Sequence, residues 1–280
     1  MSDKNPGLDS LKRVAAQLRY DVVKMVGPNN PGHFGGSFSI TEVVTALYFY
    51  KMRHDPQNPK WSQRDRLVFS KGHAGIIQYA ALAESGYFPR ETLWTLKRLG
   101  SSLQGHPDVN KTPGIEANTG SLGQGLSIAC GMAAADRLDG KDSRVYCIVG
   151  DGECAEGQIW EASMCAVNHR LDHLVAILDL NGYSAMGAVP ERYNTGPHEK
   201  KWAAQGWNVL TCDGHNMEEI MACLDEADTS VGKPTMILAK TVKGKGLPFG
   251  ENTHAFHNGS LTEEQYAGML TLLKEQGARD

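Results

Sequence analysis

The sequence predicts an α/β protein built on a mostly parallel sheet with helices on both faces. Three observations carry that expectation. Apolar runs at 66–70, 145–149, 174–180, 209–212 and 236–241 have strand length and lack period-two alternation, which is the pattern of strands covered on both sides. Segments with apolar residues at three- and four-residue steps lie between most of them, and strands alternating with helices imply parallel pairing. No linker, repeat or low-complexity stretch interrupts the 280 residues, so a single domain is the simplest organisation.

Taken in order, Leu8, Leu11, Ala15, Leu18, Val22 and Met25 form one stripe of a first helix, which Gly27-Pro28 stops. A Gly/Pro/Asn-rich loop over 27–37 carries His33. Ser39 and Glu42 have the spacing of a capping box, expected to open a second helix running to about Met52. The strand at 66–70 runs directly into Lys71-Gly72-His73. A small-residue helix over 76–84 is followed by Gly86, a left-handed C-cap. Residues 100–120 lack periodicity and exceed an ordinary connector, the mark of a functional loop. A glycine-opened, alanine-rich helix covers 122–138. The strand at 145–149 ends at Gly150-Asp151-Gly152, a helix follows at 159–168, and the strand at 174–180 ends at Asn181. Residues 194–205 read as loop or short helix. The strand at 209–212, a helix capped by Asn216 and the strand at 236–241 complete the alternation. A last helix starts at Thr262, with Gln265 closing its capping box.

Composition excludes several classes. A net charge of −4 gives no basis for nucleic acid or an anionic membrane as partner. An anionic ligand must then be held by local features or a metal. The longest apolar runs fall far short of the roughly 20 residues that span a bilayer. Residues 1–7 are polar, unlike a targeting segment. The six cysteines, Cys130, Cys147, Cys154, Cys165, Cys212 and Cys223, show no CxxC pair and no disulfide spacing. They read as mostly buried thiols in a reduced, cytoplasmic protein.

In open parallel sheets ligands bind beyond the carboxyl ends of the strands. Four such ends carry unusual residues here: His73, Asp151, Asn181 and the Lys243-Gly244-Lys245-Gly246 loop. Asp151 offers an anionic oxygen and Asn181, thirty positions later, a neutral amide oxygen. Oxygen ligands on successive strand ends suit Mg2+ or Ca2+ rather than zinc. A lone GDG after a strand is more often a structural turn; GDG paired with Asn at the next strand end is far more specific.

That pair, and the motifs around it, resemble the thiamine diphosphate enzymes and, more closely, the transketolases. Pro31-Gly32-His33-Phe34-Gly35-Gly36 resembles their N-terminal substrate-histidine loop. Ser70-Lys71-Gly72-His73-Ala74 is similar to the segment that meets the cofactor diphosphate, and Gln104-Gly105-His106-Pro107 to a third histidine loop. Thr119-Gly120-Ser121-Leu122-Gly123-Gln124-Gly125 resembles the segment on the aminopyrimidine side, and Gly150-Asp151-Gly152-Glu153 with Asn181 the metal and diphosphate motif. Glu156-Gly157 follows in the family order, and His254 to His257 lies where the last active-site histidine falls, His257 matching better. The likeness runs over roughly residues 10–260.

The resemblance implies a thiamine diphosphate-binding fold of the diphosphate type. It implies Mg2+ (or Ca2+) on Asp151, Asn181 and the backbone of Tyr183. The cofactor would be bound by His73, Gly120, Leu122, Gly152, Glu153, Asn181 and His257. His33, His106 and His257 would face a sugar phosphate, with Glu156 acidic at a subunit interface near the cofactor. Full-length transketolases continue into a domain that supplies the glutamate facing the pyrimidine, and nothing after residue 260 resembles it. The charged tail at Asp280 reads as a natural terminus. The expectation is therefore the N-terminal subunit of a split transketolase, inactive alone and joined to a C-terminal subunit in a heterotetramer. Two other readings stand beside it: the alpha subunit of a split 2-oxoacid dehydrogenase, and a non-catalytic cofactor-binding scaffold. His54, His169, His173, His198 and His215 are expected at the surface. Lys243 and Lys245 are either solvated charges or anion contacts.

Overall fold

The protein is described by a computed structural model over residues 7–280; the start read above as free of a targeting segment lies, in residues 1–6, outside the described residues. In chain order the elements are α1 (Leu8–Val26), α2 (Phe34–Ser39), α3 (Thr41–Ala46), β1 (Arg66–Phe69), α4 (Gly75–Ser85), α5 (Gln124–Leu138), β2 (Val145–Gly150), α6 (Gly157–Asn168) and β3 (Leu174–Leu180). There follow the two-residue strands β4 (Tyr183–Ser184) and β5 (Gly187–Ala188), then α7 (Val189–Arg192), α8 (His198–Ala204), β6 (Asn208–Asp213), α9 (Met217–Ala227), β7 (Thr235–Lys240) and α10 (Glu263–Glu275).

Five strands form one sheet in the order β1-β2-β3-β7-β6, and every pairing in it is parallel. The unbroken apolar runs are explained by two cores, one on each face. Along β2, Tyr146 and Ile148 enter one core while Val145, Cys147 and Val149 enter the other; along β3, Val175 and Ile177 separate from Leu174, Ala176 and Leu178 in the same way. The first core takes its cover from α1, α3, α4 and α9, the second from α5, α6 and Trp202 of α8. Full burial of a Val, Leu or Ile side chain stabilises by about 1.5–3 kcal/mol, so both faces weigh in the fold.

The helix signals that are local hold in the structure. Gly86 caps α4 in the left-handed region, the Asn216 side chain accepts from Glu218 and Glu219 amides at the start of α9, and Thr262 with Gln265 closes a capping box on α10. The Ser39–Glu42 capping box is not formed. The helical segment already begins at Phe34, breaks at Ile40 and ends in a π-helical turn, Leu47–Lys51. Ser39 Oγ instead donates to Asp179 Oδ2 at 2.6 Å, and Glu42 forms a forked pair with Arg19 at 2.6 and 2.9 Å. Both side chains sit where partners from distant strands and helices displace the local amides.

Between α4 and α5 the chain is irregular apart from a 3-10 segment, Arg90–Thr95. Arg64 anchors this stretch with a forked contact to Glu116, 2.7 Å on each arm. All six cysteines are free, five of them buried and Cys165 exposed. Among the described residues no helix is long and apolar enough to cross a membrane.

Candidate active site

Asp151 and Asn181 follow two hydrogen-bonded neighbours, β2 and β3, whose register sets Gly150 opposite Asp179. The pair therefore meets at the carboxyl edge of the sheet. Asp151 is buried at 3% exposure, with Oδ1 accepting from the Gly152 amide at 2.8 Å and Oδ2 from the Gly182 amide at 2.6 Å. Burial, then the neighbouring Asp179 carboxylate, push its pKa up to about 6. Asn181 Oδ1 accepts from the Tyr183 amide at 3.0 Å. These residues, with Gly152, Tyr183, Lys71, His73, Lys243 and His257, line a cavity of roughly 190 Å3.

The donor set fits a hard divalent cation. It offers a carboxylate, an amide oxygen and a main-chain carbonyl, the oxygen ligands Mg2+ and Ca2+ take. Among the described residues no group of three or more His, Cys, Asp or Glu is placed to hold a metal, so a softer, nitrogen- or sulfur-rich centre has no counterpart there. The Tyr183 carbonyl accepts from Lys243 Nζ at 2.8 Å, which leaves its second lone pair free.

Lys243 is not a solvated charge. It is 2% exposed, and its ammonium reaches two carbonyls, Tyr183 and Ser184, and His257 Nδ1 at 3.0 Å. Burial, then the charge of Lys71, lower its pKa to about 8. Lys245 by contrast keeps a side chain 43% exposed. Among the described residues this buried ammonium meets no carboxylate directly, and it adds a local positive charge that the chain's overall charge does not provide.

Four histidines from four separate loops converge beside this cavity. Ring centroids of His33 and His73 lie 5.4 Å apart, His33 and His257 5.6 Å, His33 and His106 6.1 Å, and His73 and His257 4.7 Å. Burial lowers all four pKa values. That of His33 falls to about 4 and that of His257 to about 3, with neighbouring cations adding to the effect. His73 is pushed well down by burial and then Lys71, and His106 more mildly by burial and then Lys97. All four are neutral imidazoles at pH 7; in His257 the acceptor nitrogen Nδ1 already faces the Lys243 ammonium, which leaves Nε2 as the N–H. His254 is exposed and lies outside the cluster.

Close backbone approach makes this convergence possible. A Cβ on Gly72 would lie 2.6 Å from the Thr119 carbonyl carbon, and one on Gly120 would lie 2.8 Å from the His106 ring. Only glycine lets the His73 turn press against the loop that bears Gly120 and Leu122. Leu122 lines the cavity; Gly120, His33 and His106 stand beyond its lining, reached through His73 and His257. Glu156 is exposed at the start of α6 and borders the cavity. Glu153, expected in the cofactor set, also borders it, but its carboxylate is engaged by the chain: Oε1 accepts from Ser70 Oγ and from the Gly123 amide at 2.8 Å, and Oε2 from the Gly150 amide at 3.0 Å.

Several histidines expected at the surface have structural partners instead. His215 Nε2 accepts from the Val242 amide at 2.8 Å. Its Nδ1 therefore carries the proton and donates to Glu42 at 3.1 Å. With Arg19 Nε donating to the Lys245 carbonyl, this pins both sides of Lys243. His54 is half-buried against the Tyr48 carbonyl and Tyr87, and His198 is buried beside Thr195. His169 is exposed and His173 partly so. Two buried residues at the site are not singled out by the sequence, Lys71 and Asp179. Lys71 stands next to His73 in a recognised motif, but nothing local indicates that its partner lies 108 positions on.

Residues 10–274 match the family model described as the transketolase, thiamine diphosphate binding domain. The 6-deoxy-6-sulfo-D-fructose transketolase subunit of Clostridium sp. (strain MSTE9) is 49% identical over 96% of this chain and 98% of its own length. An apulose-4-phosphate transketolase subunit of Phocaeicola vulgatus is 40% identical, over 96% and 95% respectively. The solved transketolase of Campylobacter jejuni superposes with a TM-score of 0.88 at 37% identity, covering 97% of this chain but 43% of that longer one.

Proposed function

The chain belongs to the transketolase family through its thiamine diphosphate-binding domain, and from that premise we propose that it is the N-terminal, diphosphate-side subunit of a split transketolase. It would transfer a two-carbon ketol unit from a ketose donor to an aldose acceptor. The observation that carries this reading is the Asp151–Asn181 oxygen pair sharing one cavity with His73 and His257, whose rings pack against His33, itself beside His106. The names of the two relatives matched almost end to end support separate subunits. They also name a sulfonated and a phosphorylated sugar, so we take the substrate to be a sugar with an anionic end, a sugar phosphate in the simplest case.

Thiamine diphosphate, when bound, supplies the carbanion chemistry that cleaves and reforms the carbon–carbon bond. This chain's residues hold it and move protons. Asp151, Asn181 Oδ1 and the Tyr183 carbonyl would take Mg2+ (or Ca2+). Gly152, His73, Asn181 and Lys243 would face the diphosphate, with Glu153 holding the Gly150 and Gly123 turns in place. Gly120 and Leu122 would offer main-chain groups to the aminopyrimidine. His33 and His106, neutral at pH 7, would accept protons from substrate hydroxyls and return them to developing alkoxides, and His257, its Nδ1 accepting from Lys243, would face the sugar as an N–H donor. Glu156, exposed at the edge of the cleft, would meet a neighbouring subunit.

We take residues 1–280 as a single domain, with the pyrimidine-side and C-terminal domains on a partner chain, in a cytoplasmic heterotetramer. The histidine cluster suits a polyol substrate better than a 2-oxoacid, which sets this reading above a dehydrogenase subunit and above a scaffold. Reconstitution with the partner chain and an assay of ketol transfer tests it. Transfer that requires both chains is expected; decarboxylation of a 2-oxoacid, or no turnover with cofactor bound, would replace it with one of the other two.

A further inference from the structure

Asp179 does not itself line the cavity, yet its carboxylate is the most heavily engaged buried group beneath it. It is fully buried in β3. Oδ2 accepts from Ser39 Oγ at 2.6 Å, from Asn181 Nδ2 at 2.8 Å and from Lys71 Nζ; Oδ1 accepts from Thr241 Oγ1. The donors come from four places in the chain: the end of α2, the turn after β1, the turn after β3 and the turn after β7.

An ionised carboxylate only accepts hydrogen bonds. The end of the Asn181 amide that faces it must therefore be the NH2 end. Reversing the amide would set two acceptor oxygens 2.8 Å apart with no proton between them. Asn181 Oδ1 is thus turned away from Asp179, where it accepts from the Tyr183 amide and borders the cavity shared with Asp151. The same carboxylate balances the Lys71 ammonium, 2% exposed, whose other contact is the Gly36 carbonyl on the cavity wall at 2.8 Å. From this arrangement we infer that Asp179 is the positioning residue of the cation site: it selects which end of the Asn181 amide faces the metal and holds Lys71 beside it.

The inference rests on the cofactor reading above, and the experiment separates the two. Mn2+ is titrated into the full chain assembled with its partner subunit, in the presence of thiamine diphosphate, and bound metal is read by electron paramagnetic resonance. Asp179→Asn offers one oxygen where the carboxylate offered two, so Asn181 and Lys71 compete for it. Loss of a group that orients a metal ligand typically weakens metal binding about 10–100-fold, and that is the expected loss, with far-UV circular dichroism unchanged. Wild type that binds no metal would overturn the cofactor reading; Asp179→Asn that binds within twofold of wild type would overturn the positioning role alone. Should Asp179→Asn not fold, the test falls to the wild-type chain. Independently, the side-chain NH2 of Asn181, identified in 15N spectra by its absence in Asn181→Asp, should exchange slowly with solvent in wild type. Rapid exchange there would show that Asp179 does not hold it.

Discussion

At the scale of single residues, the cleft holds acids and bases whose protonation is set by burial. Asp151 is the sharpest case, because among the described residues no cation meets its carboxylate directly. Asp151→Ala should leave the fold intact and abolish metal-dependent thiamine diphosphate binding. Calorimetry of the assembled enzyme with Mg2+ checks it, and undiminished cofactor affinity in the variant would remove Asp151 from the metal site. For the histidines the expected loss is catalytic. Replacing His33, His106 or His257 by Ala should lower turnover by about 10²–10⁴-fold, the usual contribution of a positioned acid–base group, while circular dichroism stays as in wild type. Their lowered pKa values also set a pH dependence of stability. Unfolded histidines titrate near 6.5, whereas His33 in the fold takes its proton only near pH 4 and His257 near pH 3. Below pH 6.5 the unfolded chain binds more protons, so this contribution is complete above 6.5 and is lost as the pH falls towards 4. Asp151 acts with the opposite sign between 3.8 and about 6, so the readout is a difference. The melting temperature should fall less between pH 7 and pH 5 in a His33→Gln/His257→Gln variant than in wild type; parallel slopes would show that these two do not titrate as stated.

At the scale of elements, the site is made by turns that touch. Gly72, after β1, and Gly120, in the long loop before α5, let two backbones meet where any side chain would collide. Gly72→Ala forces a methyl against the Thr119 carbonyl carbon and Gly120 nitrogen, 2.6 and 2.7 Å away. Backbone atoms yield less readily than a flexible side chain. Overpacking of this kind costs about 1–3 kcal/mol, to be read from urea unfolding. Because the displaced loop bears Gly120 and Leu122, cofactor affinity should fall as well. A variant of wild-type stability and affinity would mean that the two turns are free to part. This contact also marks where a sequence stops being legible. The strands are legible because a sheet covered on both sides makes continuous apolar runs, and α4, α9 and α10 because their caps lie within a few residues of their ends. The glycine-flanked histidines are legible as motifs. Ser39, Glu42 and His215 mislead because their partners lie across the fold: Glu42 and His215 are 173 positions apart, and Ser39 and Asp179 are 140. A capping spacing or a polar histidine carries no sign of such a partner. Asp179 in particular sits inside an apolar strand and gives no local signal.

At the scale of the whole molecule, the proposed function makes the cleft half of a site. The chain covers 43% of the length of the Campylobacter jejuni transketolase. The groups suited to diphosphate and metal are on it, and the family resemblance assigns the acid that faces the pyrimidine to a further domain. What borders the outer cleft is largely uncharged, with Leu122, Ala155, Ala185, Met186 and Tyr193 around Glu156. Met186 is 61% and Tyr193 39% exposed, an apolar rim of the kind that marks an association surface. On the proposed reading, a partner seated there would bury the rim and deliver the acid that faces the pyrimidine. Closed two-fold assemblies dominate among oligomers, so the expected complex has two copies of this chain and two of the partner. Light scattering should give the heterotetramer mass on mixing, with ketol transfer appearing only then. Charge placed on the rim gives the control. Met186→Glu should weaken assembly and transfer together, while metal binding at Asp151 and Asn181 persists. Full transfer by the chain without a partner would show that the cleft is complete as it stands.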